Sequence, residues 1–211
     1  MKYSGVKGAK GAYTYTAGHL WPYKLVHHMF SRALSHHANV NLQTHTPATR
    51  LTEDPNNEGH WIVETPRGTI HARQIIVATN AYTASILPEY KEKIIPYRTA
   101  CCRIVTPDKT KQPYLPNSYV LRFNPWEFDY LIPRPDGSII VGGAKRAYLR
   151  ELDEWYGNVD DAKVNEKAKE YFDGYMQRTY RGWENSGAKT DQIWAGSKSF
   201  HSLSLSTSWS S

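Results

Sequence analysis

The chain has 211 residues, a formal net charge of +6 and 40% apolar residues, and it contains fifteen Tyr and seven Trp. This length allows one large or two small cores, and the composition is typical of a globular protein rather than a disordered one. No apolar run approaches the ~20 residues that a membrane-spanning helix needs. The amino terminus lacks the apolar stretch of a signal peptide. We therefore expect no membrane partner.

The charge and the two cysteines exclude further classes of function. The positive charge would suit a nucleic acid, but the Lys and Arg residues are scattered along the chain, so we assign the charge to solubility and expect no nucleic-acid partner. Cys101 and Cys102 are adjacent, and neighbours rarely pair with each other, so the sequence predicts neither a disulfide framework nor a zinc site. Free thiols are consistent with a reducing, cytoplasmic compartment.

The beginning of the chain predicts a leading segment and one helix. Gly5, Gly8 and Gly11 lie three apart, but no strand precedes them and no helix follows directly. This spacing favours a flexible segment over a phosphate-binding loop. Pro22 suits the first turn of a helix, whose apolar stripe predicts an end near His37. The alternation in NVNLQTHT, residues 39–46, predicts a strand after it.

The next segment predicts a β-meander followed by a buried strand. The three short strands are expected in ATRLTED, WIVET and TIHARQ, separated by turn-rich segments. Ile75–Ala78 are consecutive apolar residues, a pattern typical of a parallel strand that is covered on both faces. Asn80 then suits the cap of a short helix from Ala81 to Leu87.

The second half of the chain predicts an antiparallel sheet and one long helix. Strands are expected in IIPYRTACCRIVTP, YVLRFN, FDYLIP and SIIVGG, with a hairpin turn at Arg134–Gly137. The apolar spacing between Asp160 and Tyr180 predicts a helix of about twenty residues. Residues 197–211 are more than half serine, so we expect them to be disordered.

The order of these elements resembles the FAD-dependent oxidoreductases of the D-amino-acid oxidase, sarcosine oxidase and glycine oxidase family. The motifs that carry the resemblance are HLWPYKLV, TPATRL, VETPRGTIHARQIIVATNAYTASILPE and YLIPRPDGSIIVGG. The resemblance implies an α/β (α+β) fold, with an incomplete Rossmann-like FAD-binding domain and an antiparallel β-sheet substrate domain. The implied division is residues 1–93 for the partial FAD domain and 94–193 for the substrate domain. Residues 194–211 would begin a returning FAD segment and end in the serine-rich tail.

The resemblance also implies an FAD site in this chain. Small residues at a strand end let the backbone approach a ligand, and a helix amino terminus favours a nearby phosphate. A plain helix cap at Thr79–Ala81 is compatible with this role. The implied FAD contacts are Pro47, Ala48, Ala78, Thr79, Asn80, Ala81, Trp194 and Gly196.

Other side chains have a functional and a structural interpretation. The resemblance implies substrate contacts at Arg98, Tyr130 and Arg134, since an arginine binds a carboxylate with two hydrogen bonds. In the structural interpretation, Arg98 and Arg134 lie at the surface or in a turn, and Tyr130 belongs to the core. Cys101 or Cys102 could attach a flavin covalently, or both could be buried in a strand. His27, His28, His36 and His37 share one helix but are spread along its axis, so we expect no metal site.

The implied reaction transfers a hydride from the carbon beside an amine nitrogen to FAD, with a small amine or amino acid as substrate. This reaction needs no obligatory side-chain base, so no catalytic residue is nominated. The family's G-x-G-x-x-G motif is absent, and the chain runs into serines after Trp194–Gly196. We therefore expect truncation at both ends and impaired activity. The alternative is a non-catalytic fragment that acts as an interaction or anion-binding protein; its oligomeric state is left open.

Overall fold

The computed structural model describes residues 4–36 and 39–201, which divide into two compact units. The first, which we call the meander unit, comprises the described residues between 18 and 94. The second, the sheet unit, comprises residues 4–17 and 95–201. Within the described residues, no helix combines the length and the apolar character needed to cross a membrane.

The meander unit begins with helix α1, Pro22–His36, which confirms the predicted helix. None of its residues is buried. Its apolar stripe is therefore exposed, with exposed fractions between 44% and 61% for Leu25, Val26, Met29, Phe30 and Leu34.

The predicted meander is confirmed as a three-stranded antiparallel sheet. Its strands are β1 (Arg50–Glu53), β2 (Trp61–Thr65) and β3 (Gly68–Ala72), in the order β1-β2-β3. Asp54 organises the loop between the first two strands. Its carboxylate accepts hydrogen bonds from the Asn56 backbone at 3.0 Å and the Asn57 amide at 3.1 Å, and it lies 3.0 Å from Nδ1 of His71.

Two strands predicted for the meander unit are wrong. Residues 39–46 and Ile75–Ala78 both lie outside strands, and Ile76 is 84% exposed. A parallel strand forms where neighbouring strands pair with its edges and helices cover its faces. Among the described residues, Ile75–Ala78 belongs to neither sheet, so no strand pairs with it there. The predicted helix from Ala81 is instead a 3-10 helix, Asn80–Ser85, followed by a 3-10 turn at Pro88–Tyr90.

The sheet unit contains five strands in the order β5-β6-β7-β4-β8. All four strands predicted for this region are confirmed. The predicted hairpin turn is also present, and a hydrogen bond of 3.0 Å from the Gly137 N–H to the Arg134 carbonyl closes it. The pairs β5–β6, β6–β7 and β4–β7 are antiparallel. The strands are β4 (Ile94–Val105), β5 (Tyr119–Arg122), β6 (Phe128–Pro133), β7 (Ile139–Gly143) and β8 (Lys189–His201).

Four short helices pack with one face of this sheet into a single apolar core. The helices are α2 (Lys145–Tyr148), α3 (Leu152–Trp155), α4 (Glu166–Phe172) and α5 (Tyr175–Thr179). Alternation along β4 places Ala100, Cys102 and Ile104 in this core. The mixed α/β class with antiparallel sheets is thus confirmed.

The single long helix predicted for Asp160–Tyr180 is wrong, because it begins later and is interrupted. The Asn165 side chain caps α4 by accepting from the Ala168 N–H at 3.3 Å. Gly174 has φ +59, a left-handed conformation that ends one helix and precedes the next. The resulting bend turns the aromatic residues of α4 and α5 into the same core.

Two segments that we expected to be flexible are ordered. The Lys7 N–H donates to the Thr179 carbonyl at 2.8 Å, and the Arg181 N–H donates to the Gly5 carbonyl at 2.9 Å. Residues 197–201, predicted to be disordered, belong to β8. Residues 202–211 of the predicted tail lie outside the described residues, as does His37.

Candidate functional site

Three residues on neighbouring strands form a row across the sheet. Gly142 on β7 pairs with Cys101 on β4 on one side and with Tyr130 on β6 on the other. Because Gly142 has no side chain, the Tyr130 ring lies over β7; a Cβ atom on Gly142 would meet Tyr130 Cζ at 2.1 Å. The Tyr130 hydroxyl consequently reaches Cys101 Sγ at 3.0 Å.

This row lies on the face of the sheet opposite the core, which we call the open face. Cys101 alternates with the buried Ala100 and Cys102 along β4, so its side chain points the other way. Val120, the cross-strand partner of Tyr130, is 57% exposed. Tyr130 and Cys101 are themselves half-buried.

Both polar groups of the row are protonated at neutral pH, and burial reinforces this state by raising the pKa of each. Burial raises the pKa of the Tyr130 phenol, and the neighbouring Cys101 thiol raises it further. Burial likewise raises the pKa of the Cys101 thiol. The row therefore offers neutral hydrogen-bond donors rather than a phenolate or a thiolate.

The predicted returning segment contributes a further strand, β8, to the open face. Ile193 on β8 packs against the core, so alternation turns Trp194, Gly196 and Lys198 to the other side. The positive charge of Lys198 lowers the pKa of the Cys101 thiol, against the larger effect of burial. Sequence reasoning missed both Lys198 and Gly142; counting alternate residues along the strand beyond Trp194 would have found the lysine.

Arg98 is not brought together with Tyr130. It is 6% exposed and lies on the core side of β4. Its guanidinium donates to Glu154 Oε2 at 2.7 Å and to the Asp160 carbonyl at 2.8 Å. Its charge is therefore already compensated within the sheet unit.

Arg134 lies at the hairpin turn after β6, away from the row. Its guanidinium is 3.6 Å from the Asp136 carboxylate. It lines a cleft together with Lys109, Gln112 and Tyr114. The three substrate residues implied by the sequence thus occupy three different places in the sheet unit.

The remaining implied FAD contacts belong to the meander unit. Pro47 is exposed and Ala48 is half-buried, beside Thr46, whose hydroxyl accepts from the Arg67 guanidinium at 3.2 Å. Arg67 also donates to the Gln43 amide oxygen at 2.9 Å, which ties the loop to the meander.

The segment Thr79–Ala81 forms a tight turn. Asn80, which we expected to cap a helix, is instead the first residue of the 3-10 helix and has φ 48. The Thr83 hydroxyl donates to the Asn80 carbonyl at 2.8 Å and lies 3.0 Å from the Thr79 hydroxyl. Ala81 is buried, whereas Ala78 is exposed.

These residues do not by themselves fit a complete FAD. Ala78 is a small, exposed residue, which leaves the backbone accessible to a flat ligand. However, the strand pairs whose register the structure describes are all antiparallel, so they offer no row of parallel strand ends to a pyrophosphate. The glycine-rich loop that would surround the phosphates is absent from the sequence as well.

The described residues contain no cluster of three or more His, Cys, Asp or Glu side chains that could hold a metal ion. His27, His28 and His36 are exposed on α1. Cys101 and Cys102 are free thiols, and Cys102 is fully buried on the core side of β4.

Comparisons with known proteins agree with this architecture. The sequence profile of the FAD dependent oxidoreductase family, abbreviated DAO, matches residues 2–204. A glycine oxidase from Geobacillus kaustophilus has 15% identity and a TM-score of 0.55, over 77% of this chain and 38% of that chain. NikD in its open form, an unusual amino acid oxidase essential for nikkomycin biosynthesis, has 14% identity and a TM-score of 0.56, over 83% of this chain and 43% of that chain.

The chain thus spans less than half the length of either solved relative. At this level of identity the likeness concerns the fold. No curated protein sequence matches the chain. Because the family profile matches nearly all of the sequence, the resemblance noted in its motifs is confirmed, and the chain belongs to the DAO family of FAD-dependent oxidoreductases.

Proposed function

We propose that this chain provides the substrate-binding layer of an FAD-dependent oxidoreductase that oxidises a small amine or amino acid. The observation that carries the proposal is the Tyr130 hydroxyl, held on the open face by the Cys101 contact of 3.0 Å. A protonated phenol in a half-buried position can donate a hydrogen bond to a carboxylate, and no charged protein side chain has to be buried to provide that donor.

Bound FAD would supply the hydride acceptor, and that chemistry belongs to the flavin. The residues of this chain bind and orient the substrate. In this proposal Tyr130 contacts the substrate carboxylate, and Lys198 adds a positive charge on the same face of the sheet. The proposed FAD contacts remain Pro47, Ala48, Ala78, Thr79, Asn80, Ala81, Trp194 and Gly196.

The two arginines are assigned different roles in the proposal. Arg98 stabilises the sheet unit, since its guanidinium already binds Glu154 and the Asp160 carbonyl. Arg134 is kept as a second candidate for a carboxylate, because it lines a cleft.

The test is an absorbance spectrum of the purified full chain between about 300 and 550 nm after incubation with FAD and desalting. A retained flavin band, followed by peroxide release on addition of sarcosine or glycine, would support the proposal. A colourless protein that releases no peroxide would count against it. The Asn80→Asp variant is the matched probe, because a carboxylate beside a bound phosphate should weaken FAD retention.

A second candidate is a non-catalytic interaction protein, which the exposed apolar stripe of α1 favours. None of the residues of this helix is buried, and Met29 is 61% exposed. A colourless chain that self-associates, and that becomes monomeric when Met29 and Phe30 are both changed to serine, would support this candidate. Light scattering after size-exclusion chromatography distinguishes the two cases. Salt-sensitive retention on heparin would instead indicate anion binding.

A further inference from the structure

We propose that Cys101 is a positioning residue that orients the Tyr130 hydroxyl toward a carboxylate on the open face. The inference rests on the proposed function, because it concerns how the same face recognises its ligand. The sequence suggested only two roles for Cys101, covalent attachment of a flavin or burial in a strand. The proposal gives this thiol a third role.

The geometry depends on the register of three strands. Cys101 and Tyr130 are both paired with Gly142, from opposite sides, and are therefore two strands apart. Two side chains at that separation normally have a third side chain between them. Glycine at the middle position removes this obstacle, and the Tyr130 ring crosses β7 to place its hydroxyl 3.0 Å from Cys101 Sγ.

The Tyr130–Cys101 contact can run in either direction, because each group has one proton and can also accept. A ligand that only accepts, such as a carboxylate, selects the arrangement in which Cys101 S–H donates to Tyr130 Oη. The phenolic proton then remains for a ligand, and its direction is restricted by the thiol.

Neighbouring polar groups on the same face of β4 are already engaged. The Thr99 hydroxyl donates to the Gly196 carbonyl at 3.2 Å. The Arg103 guanidinium lies 3.3 Å from the Asp191 carboxylate. A hydroxyl donor near the positive charge of Lys198 suits a ligand that only accepts hydrogen bonds and carries negative charge. A carboxylate meets both requirements.

The experiment uses the full chain labelled with carbon-13 at Cζ of tyrosine and titrated with sodium acetate, with sodium chloride as the ionic-strength control. The Tyr130→Phe variant identifies the Tyr130 resonance by its disappearance.

We expect acetate to shift this resonance in the wild type. Loss of one orienting hydrogen bond in Cys101→Ala should weaken acetate binding about three- to ten-fold. Cys101→Ser, which retains a donor, should restore part of the affinity.

Cys102→Ala is the matched control, since it removes the adjacent thiol from the core side of the same strand. It should leave acetate affinity unchanged even if it lowers stability. Unchanged acetate affinity in Cys101→Ala would overturn the proposal, and so would a Tyr130 resonance that acetate does not move in the wild type. The two proposals can fail separately. If the chain retains no flavin but acetate still shifts the Tyr130 resonance in a Cys101-dependent way, this inference stands and the proposed function is refuted.

Thiol reactivity provides a second measurement in case Cys101→Ala does not fold. In Tyr130→Phe the thiol loses its partner and the hydroxyl that covers it, so we expect Cys101 to react with a disulfide reagent several-fold faster than in the wild type. Acetate should alter the rate only when Tyr130 is present. Equal rates in the two proteins, with no effect of acetate, would contradict the proposed contact.

Discussion

The Tyr175 hydroxyl donates a hydrogen bond of 2.9 Å to the buried carboxylate of Asp129, linking α5 to β6 inside the sheet unit. Tyr171 donates to the same carboxylate at 2.6 Å, and the Ala144 N–H donates at 3.0 Å. The three donors lie on α4, on α5 and at the residue between β7 and α2, so this carboxylate connects the helices to the sheet. This polar junction lies on the core side, so it supports the open face without contributing to it.

Asp129 is expected to make the sheet unit less stable as pH rises. Burial raises its pKa, against the smaller opposing effects of its donors and Arg146. Since the folded-state pKa lies above the unfolded value of about 3.9, the stabilising contribution is complete below that pH and is lost as pH rises through the folded pKa. Urea unfolding followed by tryptophan fluorescence should show a steeper decline for the wild type than for Asp129→Asn. Parallel pH profiles would contradict this assignment.

Asp54 should have the opposite pH dependence in the meander unit. Hydrogen bonds from Asn57, Asn56 and His71 lower the pKa of Asp54 to about 2. Its stabilising contribution is present above the unfolded value of about 3.9 and is lost as pH falls through the folded value. We expect Asp54→Asn to lower the melting temperature at pH 7, and the difference from wild type to shrink below pH 4. His71→Ala should have a smaller effect, since it removes one of three partners.

Arg98 can be tested as a structural rather than a substrate residue. Arg98→Ala should reduce the free energy of unfolding by about 1–3 kcal/mol, because it removes charge-assisted hydrogen bonds from a buried position. Glu154 is half exposed, so Glu154→Gln should cost less than about 1 kcal/mol. Folded Arg98→Ala should bind acetate like the wild type in the tyrosine titration. A large loss of acetate affinity without a loss of stability would instead assign Arg98 to the substrate.

Gly142 should be intolerant of even the smallest side chain. Gly142→Ala places a Cβ atom 2.1 Å from the Tyr130 ring, so the ring must leave its position over β7. We expect a loss of about 1–3 kcal/mol from overpacking, together with faster reaction of the Cys101 thiol. Gly196→Ala is the matched control, because no atom lies within 4 Å of the Cβ that it would add. Equal effects of the two variants would disprove the proposed ring position.

Local patterns predicted most individual elements correctly. The alternation in β4 and the turn at Arg134–Gly137 depend on neighbours in sequence, and both are confirmed. The interruption at Gly174 was missed because the apolar spacing continues through it. The docking of Gly5–Lys7 along Thr179–Arg181 was missed because it joins segments far apart in the chain.

The sequence by itself determined the family, the meander and four strands of the five-stranded sheet, because these depend on motifs, turns and residue alternation over short distances. Only the tertiary structure decided that Ile75–Ala78 is not a strand, since an apolar run becomes a strand only where another strand pairs with it. It also decided that Arg98 and Tyr130 lie on opposite faces, and that Cys101 meets Tyr130 across Gly142. Strand register sets these relationships, and register depends on contacts between residues distant in the sequence.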